Sequence, residues 1–139
     1  MKFLHLNFVP RSADVALLLI RIWYGTALLW LHGSGKLMNF SDMAEKFSDP
    51  LGVGKTASLV LAILGEAVCS TLVGLGIFTR VAALISGTTM AVAFWFVHGH
   101  RLTGQGNGEL AFMYLGAFLA LVIAGGGKYS VDAKIGAKT

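Results

Sequence analysis

Charge is scarce in this sequence. Only 13% of its 139 residues are charged and 55% are hydrophobic, whereas a soluble domain carries roughly 25% charged residues. Cysteine is almost absent. Cys69 stands alone, which rules out an internal disulfide, a CxxC pair and a thiolate cluster, so any redox chemistry needs another carrier. The net charge is +4, yet no basic face or nucleic-acid motif accompanies it, and a nucleic-acid partner is not expected. Ser-His-Asp, phosphate-loop and haem-attachment patterns are missing, as are short repeats and low-complexity tracts.

What remains is apolar runs flanked by positive charge, the pattern of a membrane protein. Mean hydropathy is +0.72. The stretch 57–78 carries one charge, Glu66, in a run long enough to cross the hydrocarbon core, which takes about 20 residues. A carboxylate at that depth is expensive and is expected to face protein and to have a partner. Steps of four from Ala62 reach Glu66, Ser70 and Gly74, a small and polar face that lets another helix approach. Three more spans are expected, at about 14–37, 81–97 and 109–124. The predicted fold is an all-α, integral-membrane four-helix bundle in one domain covering 1–139.

In the first span, Arg21, Gly25, Leu28, His32 and Lys36 share a stripe by steps of three and four. The third carries Ala83, Gly87 and Ala91 on one face, and the fourth carries Glu109, Met113, Gly116, Ala120 and Ala124. Between the first two spans, Phe40, Met43, Phe47 and Leu51 keep helical spacing, so a short surface helix is expected, capped by Asp42. Residues Met1–Ser12 read as an interfacial lead-in; Arg21 interrupts the apolar run and no A-x-A site follows, against a cleaved signal peptide. Lys2, Arg11, Arg80, Lys128, Lys134 and Lys138 fall on one side, against Lys36, Lys46, Lys55 and Arg101 on the other. That bias places both termini in the cytoplasm.

Two polar constellations follow. Arg21 and Glu66 are the charges deepest in the bilayer, and a bidentate pair between them would offset both desolvation costs. It would serve either as a bundle-specifying ion pair or as the wall of a polar pocket. At the outer ends of the spans gather His32, Lys36, His98, His100, Arg101 and Glu109. A ligand site at His32, Lys36, His98 and Glu109 would suit a quinone head group or an anion, and ordinary interfacial polarity is the plain alternative. No two of these residues make an i, i+4 ligand pair on one helix, so no metal site is expected.

Several motifs recur in order: His32-Gly33-x-x-Lys36-Leu37, Gly65-Glu66, Gly74-Leu75-Gly76-x-x-Thr79-Arg80-x-Ala82-Ala83, His98, Gly108-Glu109 and Gly127-Lys128-Tyr129-Ser130-x-Asp132. Together they resemble the DoxX family (the DoxX/DoxD group) of small bacterial and archaeal inner-membrane proteins, over about 16–135. Gly54 and Gly126 stand where that family commonly has proline, which bears on turn geometry. The resemblance implies a four-helix membrane bundle in a bacterial-type inner membrane. It also implies a role as a subunit of a quinone-linked oxidoreductase, in redox or sulfur metabolism, with quinone as cofactor and a redox enzyme as partner. Proton steps would fall to His32 and the carboxylates. The alternatives are a non-catalytic membrane anchor and, less favoured, a small transporter, since broken-helix repeats are lacking. A homo-oligomer is compatible with all three.

Overall fold

The computed structural model describes residues 12–136. The lead-in up to Arg11, with Lys2, and the tail residue Lys138 lie outside the described residues. The described residues are helical without strands. They form α1 (Ala13–Met38), the short α2 (Phe40–Met43), α3 (Lys55–Leu75), α4 (Thr79–Val97), α5 (Glu109–Ala124) and the short α6 (Val131–Lys134). By length and composition α1, α3 and α4 can each cross a membrane. The fourth long helix, α5, has 16 residues, about 24 Å.

Glycines set the helix contacts. A Cβ on Gly25 would stand 2.7 Å from the Ser70 carbonyl oxygen, and one on Gly33 would stand 2.4 Å from that of Glu66. Helices α1 and α3 therefore touch backbone to backbone along the stripes seen in the sequence. Gly65 packs on Thr89, and the Ser86 hydroxyl donates to the Gly65 carbonyl at 2.8 Å, joining α3 to α4. Between α4 and α5 the core is Ala83, Met90, Tyr114, Phe118 and Leu121.

On α5 the observed face differs from the expected one. Glu109, Met113, Gly116, Ala120 and Ala124 all point outward, while Ala111, Tyr114, Leu115, Phe118 and Leu121 are buried. The helix is apolar nearly all round, so its periodicity carries little information about which side packs. The bundle as a whole buries polar groups (Arg21, Glu66, Ser70, Ser86) and exposes large apolar ones such as Trp23, Trp30 and Ile123, the arrangement lipid favours.

The end of the bundle holding the α3–α4 hairpin is tied by the tail. Gly76 adopts a left-handed conformation, and the Ile77 and Gly76 amides bond back to Leu72 and Val73, a Schellman closure of α3. Phe78 follows with a positive φ of 46° and offers α4 no side-chain cap. Asp132 supplies it from the far end of the chain. Its carboxylate accepts the Phe78 amide, the Thr79 amide and the Thr79 hydroxyl, each at 2.8 Å. Burial pushes this carboxyl up, but the hydrogen bonds from Thr79 and Phe78 and the charge of Arg21 reverse that, so it sits below the usual carboxylate range. Asp14, near the start of α1, accepts the Lys128 amide at 2.9 Å.

In the connection to α3, Asp42 lies inside α2 rather than capping it. Asp49 does the fastening: it accepts the Val53 and Gly54 amides and the Ser58 hydroxyl. The Ser58 bond foremost holds its carboxyl below the ordinary range.

Candidate functional site

Each membrane-length helix contains one π-helical turn: Leu29–Gly33 in α1, Leu64–Cys69 in α3 and Ala93–Val97 in α4. Such turns lie often at functional sites because the extra residue re-aims side chains. The first holds His32 and the second Glu66; His98 directly follows the third. The α1 and α3 turns meet where Gly33 presses on the Glu66 carbonyl. Side-chain hydroxyls serve the loosened backbone there: Ser70 donates to the Glu66 carbonyl at 2.6 Å, beside the Ser86–Gly65 bond.

These turns surround a cavity of about 680 Å³ at the end of the bundle away from the hairpin. Small-molecule sites span roughly 300–1,000 Å³. All four long helices and the 47–51 loop contribute walls, most of them apolar. On one wall the Lys36 ammonium contacts Glu66 Oε2 directly and reaches the His32 carbonyl at 3.5 Å. Among the described residues nothing donates to Glu66 Oε1. The His32 ring stands edge-on to Tyr114, centroids 6.2 Å apart, and Tyr114 meets Tyr24 edge-on at 5.6 Å. His98 lies at the rim with Nδ1 3.0 Å from the Gly106 carbonyl. A carbonyl only accepts, so a proton is on Nδ1, and in the neutral ring Nε2 is then the acceptor.

Of the residues singled out in the sequence, His32, Lys36, Glu66 and His98 line this one cavity. Glu109 does not. It is exposed as the first residue of α5, where its charge suits the helix terminus. Asn107 takes the place at the rim and accepts the Glu109 amide at 3.0 Å. His100 and Arg101 are exposed in the loop.

Arg21 and Glu66 do not pair. Glu66 is taken by Lys36, and Arg21 donates through Nη2 to the Tyr129 carbonyl at 3.1 Å at the hairpin end. The reason is stagger. Gly33 of α1 marks the level of Glu66, and Arg21 lies 12 residues before it, about 18 Å along the axis. Arg21 is 1% exposed and lies flat on Gly76, where any Cβ would overlap its Nη1. Its charge acts on Asp132 and its Nη2 bond reaches the tail at Tyr129, while its Nε and Nη1 are buried without a hydrogen-bond partner among the described residues. The motif running from Gly127 to Asp132 is thus a clasp, with Ser130 accepting the Ala133 amide and Asp132 capping α4.

Sequence reasoning missed Tyr114 and Asn107 as cavity residues, and it missed the three π turns. The only available signal for the turns was Gly33 and Gly65, each adjacent to a polar cavity residue.

A family model for DoxX matches residues 16–99, covering α1 through α4. A protein of Haemophilus influenzae, described as uncharacterized, is 37% identical over 114 residues, which is 75% of this chain and 79% of that protein. No solved structure matches.

Proposed function

From the premise that this chain belongs to the DoxX family of membrane proteins, we propose that it serves as the membrane subunit of a quinone-linked oxidoreductase, binding the quinone head in the outer cavity. One observation carries the reading: a Lys36–Glu66–His32 station in an otherwise apolar cavity of about 680 Å³. Apolar walls with a few convergent polar groups are the usual form of a site for a lipid-soluble ligand. The donor set fits a quinone, since the head presents carbonyl oxygens when oxidised and hydroxyls when reduced. A bound quinone would supply two-electron redox coupled to two protons.

The chain's own groups bind and move protons. Lys36 offers N–H donors to a carbonyl oxygen, fixed in place by Glu66 Oε2. Glu66 Oε1 is open to accept from a hydroxyl. His32 can hold a proton on either ring nitrogen, and His98 at the rim offers Nε2 toward the aqueous side. Tyr114 and Leu28 close the apolar floor. Electrons come from a redox partner's cofactor. The protein sits in a bacterial-type inner membrane with both termini cytoplasmic, so the cavity faces the outer leaflet.

A non-catalytic anchor has one observation in its favour: the hairpin-end polar groups all act to fasten helices, and Lys36–Glu66 can be given the same role. Native mass spectrometry of the detergent-extracted protein separates the two. Retained quinone in the wild type, reduced in His32→Ala, supports the site. A ligand-free chain that co-purifies with a redox enzyme gives the anchor.

A further inference from the structure

We infer that the cavity is loaded sideways from the lipid, through the groove along the α3–α4 seam that Leu61, Leu64, Leu84 and Thr88 line beside the Gly65–Thr89 contact, and that its occupant carries a long apolar chain lying in that groove. This rests on the cavity reading above and adds the route and the tail. The polar station is deep: Glu66 lies 11 residues into α3, about 16 Å below the start of that helix. The cavity wall continues beyond it. Along α4 the lining runs from Val97 to Leu84, about 20 Å, so the space extends well past the room a single ring would need.

Its two ways out differ. Toward the aqueous loops it is lined by Phe47, Pro50 and Leu51, apolar residues on the segment that Asp49 fastens to the start of α3; Leu51 and, on α5, Leu110 are themselves 48% and 51% exposed, so this end opens onto the interface. Toward the bilayer, Leu61, Leu64 and Leu84 line the cavity and are also 47%, 38% and 54% exposed. Thr88 beside them is exposed as well. Residues that are at once wall and outer surface mark an opening, and at this depth what lies outside is lipid hydrocarbon. Thr88 turns its hydroxyl back to the Leu84 carbonyl at 2.8 Å, so it brings no free donor to the seam. A compact, water-borne ligand would need neither the seam nor its length. An amphiphile with a polar head at Lys36 and Glu66 and a chain between α3 and α4 uses both.

The test uses the full chain in detergent and two probes with the same head: 2,3-dimethoxy-5-methyl-1,4-benzoquinone without a side chain, and its decyl derivative. Equilibrium dialysis gives the affinity of each for the wild type, Thr88→Phe and Leu61→Phe, with Leu119→Phe on the outer face of α5 as control. Partitioning into detergent is common to all four proteins and cancels in the ratios. A ring forced into the seam overpacks a chain lying there, so each seam variant should weaken decyl binding about fivefold or more. Chainless binding should stay within about twofold, and Leu119→Phe should change neither. Equal weakening of both probes, or no weakening of either, overturns the sideways route while the head site stands. Failure of both probes to bind the wild type overturns the head site and this inference with it. Because the two seam variants sit on different helices, loss of folding in one leaves the other to decide.

Discussion

Replacing Asp132 by alanine should loosen the bundle at its hairpin end. The carboxylate takes three hydrogen bonds at 2.8 Å from Phe78 and Thr79. It is the side-chain cap that α4 lacks locally. Hydrogen bonds to a charged group contribute about 1.5–3 kcal/mol each, and a lost cap costs about 0.5–2 kcal/mol. Neither set adds fully, because the cap and the hydrogen bonds are the same contacts and the freed Phe78 amide, on a residue 65% exposed, recovers water, whereas Thr79 is 1% exposed. A net loss of about 3 kcal/mol is expected, roughly 10 °C in Tm for a chain of this size. Asp132→Asn keeps one acceptor oxygen and should lose about half as much. The sole cysteine supplies the assay: Cys69 is 3% exposed, so a thiol-reactive dye reports unfolding on heating. The pH dependence fixes the mechanism. The folded carboxyl titrates below its ordinary range. Its contribution is therefore fully present above the unfolded value, about 4, and is lost as pH falls through the lower folded value. The gap between wild type and Asp132→Ala should be constant from pH 5 to pH 8 and narrow below pH 4. A variant melting within about 1 °C of wild type, or a gap undiminished at pH 3, would refute the clasp.

The Lys36–Glu66 contact should behave as a pair. Lys36→Met and Glu66→Gln each strand a charge, at a cost near the lower end of about 3–5 kcal/mol because the side chains keep 17% and 10% exposure. The double mutant should recover most of that in a thermal double-mutant cycle, whereas Arg21→Met with Glu66→Gln should be additive; coupling in the second cycle and none in the first would reverse the assignment. Gly33→Ala drives a Cβ to 2.4 Å from the Glu66 carbonyl and should lower Tm by several degrees. Gly35→Ala meets nothing within 4 Å and should be neutral or mildly stabilising, by up to about 1 kcal/mol; equal effects at both would deny the close α1–α3 contact. Reporter fusions after Arg80 and Thr139 should read cytoplasmic, and one within Phe40–Asp49 external, with the opposite pattern inverting the cavity's side.

Much of this architecture is legible as periodicity. Arg21, Gly25, Leu28, His32 and Lys36 do share the inward face of α1, and Ala62, Glu66 and Ser70 that of α3. Periodicity gives faces but not levels. Counting Arg21 and Glu66 from the ends of their spans assumes the spans begin together, whereas the first two turns of α1 extend past the hairpin into the tail's clasp. Gly25 and Gly33 held the missing register, because each marks a point where two backbones touch. The stripe of small residues on α5 misled for a different reason: in lipid, small residues on an apolar helix carry no penalty for facing outward. The π turns leave little mark in composition: Gly33 and Gly65 beside a polar residue hint at two of them, and Ala93–Val97 reads as ordinary apolar helix. The sequence already grouped His32, Lys36 and His98; that Glu66 joins them at one cavity follows only from the fold. Asp132 closes the Gly127–Asp132 motif, but its task depends on contacts some 53 residues away in the chain.

The central claim is that the ligand's head engages the Lys36–Glu66 station. Infrared difference spectroscopy on adding decyl-benzoquinone to the detergent-solubilised protein tests it directly, because a carboxyl group's stretching bands respond to a new hydrogen-bonding partner. A carboxyl difference signal that disappears in Glu66→Gln and persists in Glu109→Gln is expected. Bound quinone with no carboxyl signal, or a signal abolished by Glu109→Gln and unaffected by Glu66→Gln, would contradict it.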